Sequence, residues 1–220
     1  MFYPYNILNE EIYPLFGDQI KGYPFYIDLV SEAVEDYHFE DLKLEELGDI
    51  LLGELKKVGK NWGFSGYLED RSRVLKNTII FDQGRIYHIG IDLHVPVGIK
   101  LHAPLEGKVV VSEYEDGVTN YGGMIVLKHD INDSVFYSLY GHLNRDTLPK
   151  IGNIVKKGEV FGKIGDTYEN GSWSPHLHLQ VFTEEGYNGG WLRKGYCKPE
   201  DMLNISVYCP NPIFLLRYSL

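Results

Sequence analysis

Two side chains that can bind a metal ion or move a proton flank a glycine in the stretch IYHIGIDLHV. Side chains on a β-strand alternate between two faces, so His88 and Asp92 would lie on one face with only Gly90 between them. His94 follows on that same face. The intervening positions are apolar and fit a core on the opposite face: Ile89, Ile91, Leu93 and Val95. A histidine and a carboxylate placed in this way indicate a candidate metal or acid–base site.

A second stretch, SPHLHLQVF, places two imidazoles two residues apart, at His176 and His178. On a strand both rings would point the same way, whereas on a helix they would diverge by about 200°. A third stretch, FYSLYGHLN, brings a further imidazole, His142, to the end of a predicted strand. By alternation His142 would share a face with Tyr140.

These groups together suit hydrolytic zinc chemistry. A catalytic zinc ion takes three nitrogen or oxygen ligands from the protein and keeps a further position open. Two neutral imidazoles and one carboxylate would leave a net positive site, which strongly acidifies water. Five groups are on offer, so three can bind metal while two remain for proton transfer and for stabilising an oxyanion.

The elements that would position these groups are short strands separated by turns that contain glycine. Seven apolar runs are predicted as strands: Asn77–Phe81, Ile86–Val95, Gly107–Val111, Met124–Lys128, Ser134–Tyr140, Val160–Ile164 and Leu177–Phe182. This spacing is typical of an antiparallel sheet or sandwich, and too few helical stretches intervene for βαβ units. The 17 Tyr and 24 Gly residues agree with strands and turns.

The two ends of the chain differ from this centre. Between Leu42 and Val58 apolar residues recur at helical spacing, which predicts one or two amphipathic helices, with Asp41 as a candidate cap and Gly59 as a candidate end. We therefore predict an α+β fold with three parts. Residues 1–75 would be a mostly helical extension, residues 76–185 an antiparallel sheet or sandwich core, and residues 186–220 a tail that packs on the core.

Composition narrows the class of partner. The chain has 220 residues, of which 44% are hydrophobic, as in an ordinary globular protein. Its formal charge of −10 argues against nucleic-acid and anionic-membrane partners. No apolar run reaches the length of a membrane span, and MFYPYNILNE lacks the pattern of an export signal. The sequence as it stands therefore predicts a cytoplasmic location, or a periplasmic or extracellular one if a signal has been removed.

The two cysteines, Cys197 and Cys209, lie close together near the C-terminus. A disulfide between them is compatible with the sequence, but two free or buried thiols are expected. They form no CxxC pair and have no nearby histidine, which argues against a cysteine-based metal site.

The motifs resemble those of the M23 (lysostaphin/LytM-type) zinc metallopeptidases. HIGID, YGHL and PHLHLQV match three motifs of that family in the same order. The linking segments VPVGIKLHAPLEGKVV and IGNIVKKGEVFGKIGDT are similar as well. The resemblance covers roughly residues 76–185, about half of the chain.

This resemblance implies a role for each candidate residue. It implies that His88, Asp92 and His178 bind one zinc ion per chain, and that His142 and His176 assist catalysis without binding metal. The activity it implies is that of an endopeptidase acting on peptide bonds, mostly in peptidoglycan stems or cross-bridges. Which of the two free imidazoles is the general base stays open.

Before PHLH the sequence departs from the family pattern, because ENGSWS stands where glycine-rich sequence is usual. Substrate choice is therefore open, and the predicted substrate-binding residues are Tyr140, Ser172 and Trp173. Two alternatives remain. One is a zinc hydrolase acting on another amide inside the cell. The other is a non-catalytic LytM-like binding module, which would be expected to lack ligands that this chain has.

Overall fold

Strands dominate the chain, as the alternating apolar pattern predicts. The structure is a computed structural model that describes residues 2–29, 44–117 and 119–220. Its strands are β1 (Phe25–Tyr26), β2 (Gly63–Ser65), β3 (Tyr87–His88), β4 (Ile91–His94), β5 (Lys100–His102), β6 (Gly107–Glu115), β7 (Gly122–Ile131), β8 (Ser134–Leu143), β9 (Ile154–Val155), β10 (Val160–Lys163), β11 (His176–Thr183) and β12 (Tyr196–Cys197). Its α-helices are α1 (Leu44–Lys57), α2 (Ile79–Asp82), α3 (Glu184–Asn188) and α4 (Ile205–Tyr208). Short 3₁₀ turns occupy Tyr5–Ile7, Arg145–Thr147, Pro199–Asp201 and Pro212–Leu215.

One eight-stranded sheet, in the order β1-β2-β4-β11-β8-β7-β6-β9, carries Asp92, His142, His176 and His178. His88 lies on β3, which pairs with β12 in a separate two-stranded sheet. Its pairs are antiparallel except for β1 and β2. Strand β11 lies between β4 and β8, with His178 opposite Asp92 on one side and opposite Gly141 on the other. Residues directly opposite each other on paired strands share a face. The register therefore brings Asp92, His176 and His178 to one face of the sheet, and the predicted antiparallel architecture is confirmed.

The other face of this sheet packs on the main apolar core. The core includes the alternate residues predicted for it on β4 and β11: Ile91, Leu93, Val95, Leu177, Leu179 and Val181. The prediction fails at Ile89, which packs in a separate cluster with Leu139 and Phe182. The reason is a break in the predicted strand: β3 ends at His88 and pairs with β12, and β4 begins only at Ile91.

The run Asn77–Phe81 is a turn and a short helix, so the strand predicted there is wrong. Thr78 lies in extended geometry and its side chain accepts a hydrogen bond from the backbone N–H of Phe81. Asn77 has a φ of +69°, in the left-handed region. A cap of this kind starts a helix because it satisfies an N–H that has no partner within the helix.

The N-terminal part of the chain joins the sheet as well as forming a helix. The predicted amphipathic helix is present as α1, and Gly59 follows it with a φ of +67° and an N–H donated to the carbonyl of Lys56. Leu51 and Leu55 are buried in a cluster that includes Trp173. Strands β1 and β2 extend the edge of the sheet beside β4. The cap predicted at Asp41 lies outside the described residues.

The C-terminal part returns to the same body. Leu215 and Leu216 are buried in the main core, and α4 packs against β11 and α3. Cys197 and Cys209 are buried free thiols, as expected. Within the described part of the chain, no helix is both long enough and apolar enough to cross a bilayer.

Candidate metal centre and cleft

Three ligand atoms face one another on the polar side of the sheet. Nε2 of His88 lies 3.2 Å from Oδ1 of Asp92 and 3.1 Å from Nδ1 of His178. Nδ1 of His178 lies 3.0 Å from the same carboxylate oxygen. Ligand atoms bound at about 2.0–2.1 Å around a tetrahedral zinc ion are separated by about 3.3 Å. The spacing and the donor set of two imidazoles and one carboxylate therefore fit a zinc ion.

The outer nitrogen of each imidazole is held by an oxygen that can only accept a hydrogen bond. Nδ1 of His88 donates to the carbonyl of Gly66 at 3.0 Å. Nε2 of His178 donates to Oε1 of Gln180 at 3.0 Å, and Nε2 of Gln180 donates to the carbonyl of Lys194. The inward nitrogens then carry lone pairs. Three acceptors that converge in this way are stabilised by a shared cation, and partners behind the ligands are usual at zinc sites.

Gly90 allows the His88–Asp92 segment to lie close against His178 on β11. A Cβ at this position would lie 2.6 Å from Cε1 of His178 and 2.7 Å from the carbonyl oxygen of Leu179. Real Cβ atoms do not approach other atoms so closely, so a side chain at Gly90 would push β11 and its imidazole away. The glycine between His88 and Asp92 is therefore required by packing.

A buried polar network lies behind Asp92, and no sequence motif marks it. The guanidinium of Arg71 donates to Oδ2 of Asp92, to the hydroxyl of Ser65 and to the carboxylate of Glu69. The Ser65 hydroxyl also lies 3.1 Å from Nε2 of His94. Burial lowers the pKa of His94 to about 3, so this ring is neutral and belongs to the supporting network. Arg71 and Ser65 are distant in sequence from the motifs, so no local pattern marks them.

A β-bulge brings His142 to the polar face. Opposite β7, Tyr140 pairs with Ile125 and Leu143 pairs with Gly123, so three steps along β8 match two along β7. His142 itself has a φ of +66°. Strict alternation would turn its ring toward the core with Tyr140. The bulge instead places the ring 4.3 Å, between centroids, from that of His176.

The two remaining imidazoles are neutral. Burial, together with the nearby imidazoles of His176 and His178, which disfavour a further positive charge, lowers the pKa of His142 well below its usual range. Burial also lowers the pKa of His176, although Asp92 opposes the shift. Nδ1 of His176 donates to the carbonyl of Ser174 at 2.7 Å, so its Nε2 carries the lone pair. That Nε2 lies 3.8 Å from Oδ1 of Asp92, at the edge of the ligand trio.

A cleft opens over these groups, and aromatic side chains form much of its wall. Its lining includes Asp92, His142, His176 and His178 together with Tyr121, Trp173 and Tyr196. Tyr121 lies 5.4 Å from His178 and 6.0 Å from His142, and Tyr196 lies 5.3 Å from His88, between ring centroids. Tyr121 and Tyr196 were missed because each stands in a loop or short strand with no motif around it.

The three predicted substrate-binding residues have different surroundings. Trp173 lines the cleft, with its ring centroid 6.1 Å from that of His176. Ser172 is half-buried with a φ of +70°, and it is not among the described residues that line the cleft. Tyr140 is fully buried in the main core, where its ring packs edge-on against Phe161. The structure therefore brings only Trp173 of the three to the cleft.

Comparisons with known proteins agree with the motifs. The model of "Peptidase family M23" matches residues 86–189. The chain is 38% identical over 101 residues to the glycyl-glycine endopeptidase ALE-1 of Staphylococcus capitis, covering 46% of this chain and 26% of that protein. It is 33% identical over 99 residues to the peptidoglycan DD-endopeptidase ShyB of Vibrio cholerae, covering 44% of this chain and 21% of that protein. The solved catalytic domain of lysostaphin from Staphylococcus simulans is 28% identical, with a TM-score of 0.40, and covers 53% of this chain and 79% of that chain.

The chain spans about a quarter or less of the length of these two curated relatives. The family match nevertheless contains all five residues singled out by type and spacing: His88, Asp92, His142, His176 and His178. The match to peptidase family M23 therefore spans residues 86–189, a little under half of the chain, and includes every residue of the candidate site that the motifs predicted.

Proposed function

We propose that this chain is a zinc-dependent endopeptidase that hydrolyses peptide bonds in the stem or cross-bridge peptides of peptidoglycan. The observation that carries the proposal is the convergence of His88, Asp92 and His178, whose ligand atoms lie 3.0–3.2 Å apart with the outer ring nitrogens held by oxygen acceptors. Two similar proteins are named as a glycyl-glycine endopeptidase and a peptidoglycan DD-endopeptidase, which supports the substrate class.

The ligand trio would hold one zinc ion per chain. When bound, zinc supplies Lewis-acid chemistry, which polarises a carbonyl group and makes water a stronger acid. The trio itself contributes one negative charge, so the loaded site keeps a net positive charge toward the cleft. Neutral His88 suits this role because metal and proton compete for the same lone pair, and burial lowers its pKa.

His176 is the residue that we assign as the proton carrier. Its Nδ1 is committed to the carbonyl of Ser174, so Nε2 is free to take a proton from the attacking water and to deliver it to the leaving amine. This atom lies beside Asp92, where water activated at the trio would be within reach.

His142 lies against His176 on the bulge and lines the same cleft. Its Nδ1 has no hydrogen-bond partner among the described residues. We assign His142 to hydrogen-bond the oxygen of the scissile carbonyl as negative charge develops on it. Trp173, whose indole N–H is likewise buried without a partner in the described chain, is the proposed contact for the peptide beside this point.

The experiment is a zinc determination by elemental analysis on wild type and His178→Ala, with both proteins assayed on purified peptidoglycan. His102→Ala is the matched control, because that ring bonds the carbonyl of Gly158 and packs on Tyr13, away from the cleft. The expected result is about one zinc per chain and released muropeptides for wild type and control. His178→Ala should lose both.

Either of two outcomes would contradict the proposal. Wild type that binds no zinc after reconstitution would exclude the metal site. Wild type that binds zinc but releases no muropeptide would exclude peptidoglycan as the substrate and leave the zinc site intact.

A further inference from the structure

The two carboxylate oxygens of Asp92 have different neighbours. Oδ1 faces the ligand nitrogens of His88 and His178 at 3.2 and 3.0 Å. Oδ2 accepts a hydrogen bond from Nη2 of Arg71 at 3.2 Å. The contact with Arg71 resists rotation about the Cβ–Cγ bond, so the guanidinium holds the carboxylate plane with one oxygen directed at the imidazoles.

Arg71 is itself held from several directions. The side chain is fully buried, its Nε donates to Oε2 of Glu69 at 2.6 Å, and its Nη2 also donates to the hydroxyl of Ser65 at 2.9 Å. Its backbone N–H donates to the carbonyl of Ile86, two residues before His88. A planar guanidinium fixed at several N–H groups is a rigid donor, which a lysine could not replace.

Glu69 makes this arrangement compatible with a cation. A buried guanidinium beside a metal ion would repel it, because the interaction of two like charges is strong where little water screens them. The carboxylate of Glu69 offsets the charge of Arg71 and is only 6% exposed. Its Oε1 is anchored in turn by the backbone N–H of Leu29 at 3.3 Å and by the hydroxyl of Tyr26 at 3.4 Å.

We propose that Arg71, held by Glu69, is a positioning residue that fixes Asp92 as a one-oxygen ligand of the metal. The proposal rests on the proposed function only in taking the trio as a zinc site. Arg71, Glu69 and Ser65 all precede residue 86, where the family match begins. The metal centre of this chain therefore depends on a strand and a loop outside the segment that defines the family.

The test compares full-length wild type with Arg71→Lys and Arg71→Met. The dissociation constant for zinc is measured by competition with a chelator, and Co²⁺ is substituted to record its visible absorption, which reports ligand number and geometry. Arg217→Lys is the control, since Arg217 donates to the carbonyls of Phe214 and Leu216 and not to the trio. We expect zinc binding roughly 10–100-fold weaker in both Arg71 variants, with an altered Co²⁺ spectrum, and no change in the control.

Thermal unfolding of the metal-free proteins separates positioning from simple structural support. A purely structural Arg71 would lower the melting temperature while the folded variants bound zinc as tightly as wild type with an unchanged Co²⁺ spectrum, and that result would overturn the proposal. If Arg71→Met does not fold, the double variant Glu69→Leu/Arg71→Met, which removes the pair together and leaves no unpaired charge, provides the same test. Absence of zinc binding by wild type would instead refute the proposed function.

Discussion

At one end of the polar face, the imidazoles of His88 and His178 each have a protein oxygen behind them, and Asp92 has Arg71. At the other end, His176 is held by one backbone carbonyl, and Nδ1 of His142 has no partner among the residues that the structure describes. Both ends are buried. The first draws on β3, β4 and β11, and the second on β11 and β8. Under the proposed function, this difference separates a site that would hold a cation in fixed geometry from a pair of imidazoles that would be available for proton transfer.

The two ends should respond differently to truncation, and the loss of turnover at the second end is the largest expected effect. His142→Ala and His176→Ala should each keep about one zinc per chain while kcat falls by about 10²–10⁴-fold, the usual contribution of a positioned acid–base group. Elemental analysis and turnover on purified peptidoglycan measure the two quantities.

Loss of zinc in either variant would contradict this prediction, because the replaced residue would then help to hold the metal together with His88, Asp92 and His178. Near wild-type turnover in both variants with zinc bound would exclude the proton-transfer role. His102→Ala serves again as the control for replacing an imidazole outside the cleft.

A third type of buried imidazole gives a stability prediction. His129 is fully buried, bonds the carbonyl of Glu106 and the hydroxyl of Ser138, and stacks on Phe136, which belongs to the main core. Burial lowers its pKa to about 4 in the folded protein, against about 6.5 when unfolded. The unfolded chain therefore binds more protons between these values. The stabilisation is complete above about pH 6.5 and is lost as the pH falls to about 4, by up to ~3 kcal/mol.

Denaturant unfolding at a series of pH values measures this loss, and His129→Gln is the comparison protein because its amide does not titrate. The variant should be less stable at neutral pH but should show a shallower slope between pH 6.5 and 4. Parallel slopes for the two proteins would show that His129 does not contribute to the acid sensitivity.

The smallest effect concerns the partner behind His178. Gln180→Leu removes the oxygen that accepts the proton of Nε2 and should weaken zinc binding by about 10–100-fold. Gln180→Glu keeps an acceptor at this place and should bind zinc nearly as wild type does. Chelator competition on the three proteins measures the effect. If Gln180→Leu bound zinc as tightly as wild type, the ligand trio would not need this hydrogen bond.

Much of the site could be predicted from sequence because its signals are local. The period of a strand places His176 and His178 on one face whatever the rest of the chain does. The same argument predicted that His88 and Asp92 meet, and they do, although the strand breaks between them at residues 89–90. The apolar residues between them predicted the opposite face correctly on β4 and β11. The helical spacing that predicted α1 is a signal of the same kind.

Other features were decided by contacts that the sequence does not display. The cap at Thr78 turned a predicted strand into a helix, and the bulge at His142 separated it from Tyr140, which shares its face in an ideal strand. A bulge depends on how two strands pair, so the sequence of one strand does not predict it.

The sequence by itself determined which groups could bind a metal and which could move a proton, because residue type and strand period are local properties. Only the tertiary structure decided what holds them. Arg71 reaches Asp92 because β2 pairs with β4, and Gln180 is oriented by the carbonyl of Lys194 on a later loop. These partners lie far apart along the chain and meet only because the chain folds. A local sequence pattern does not show which distant residues will be in contact.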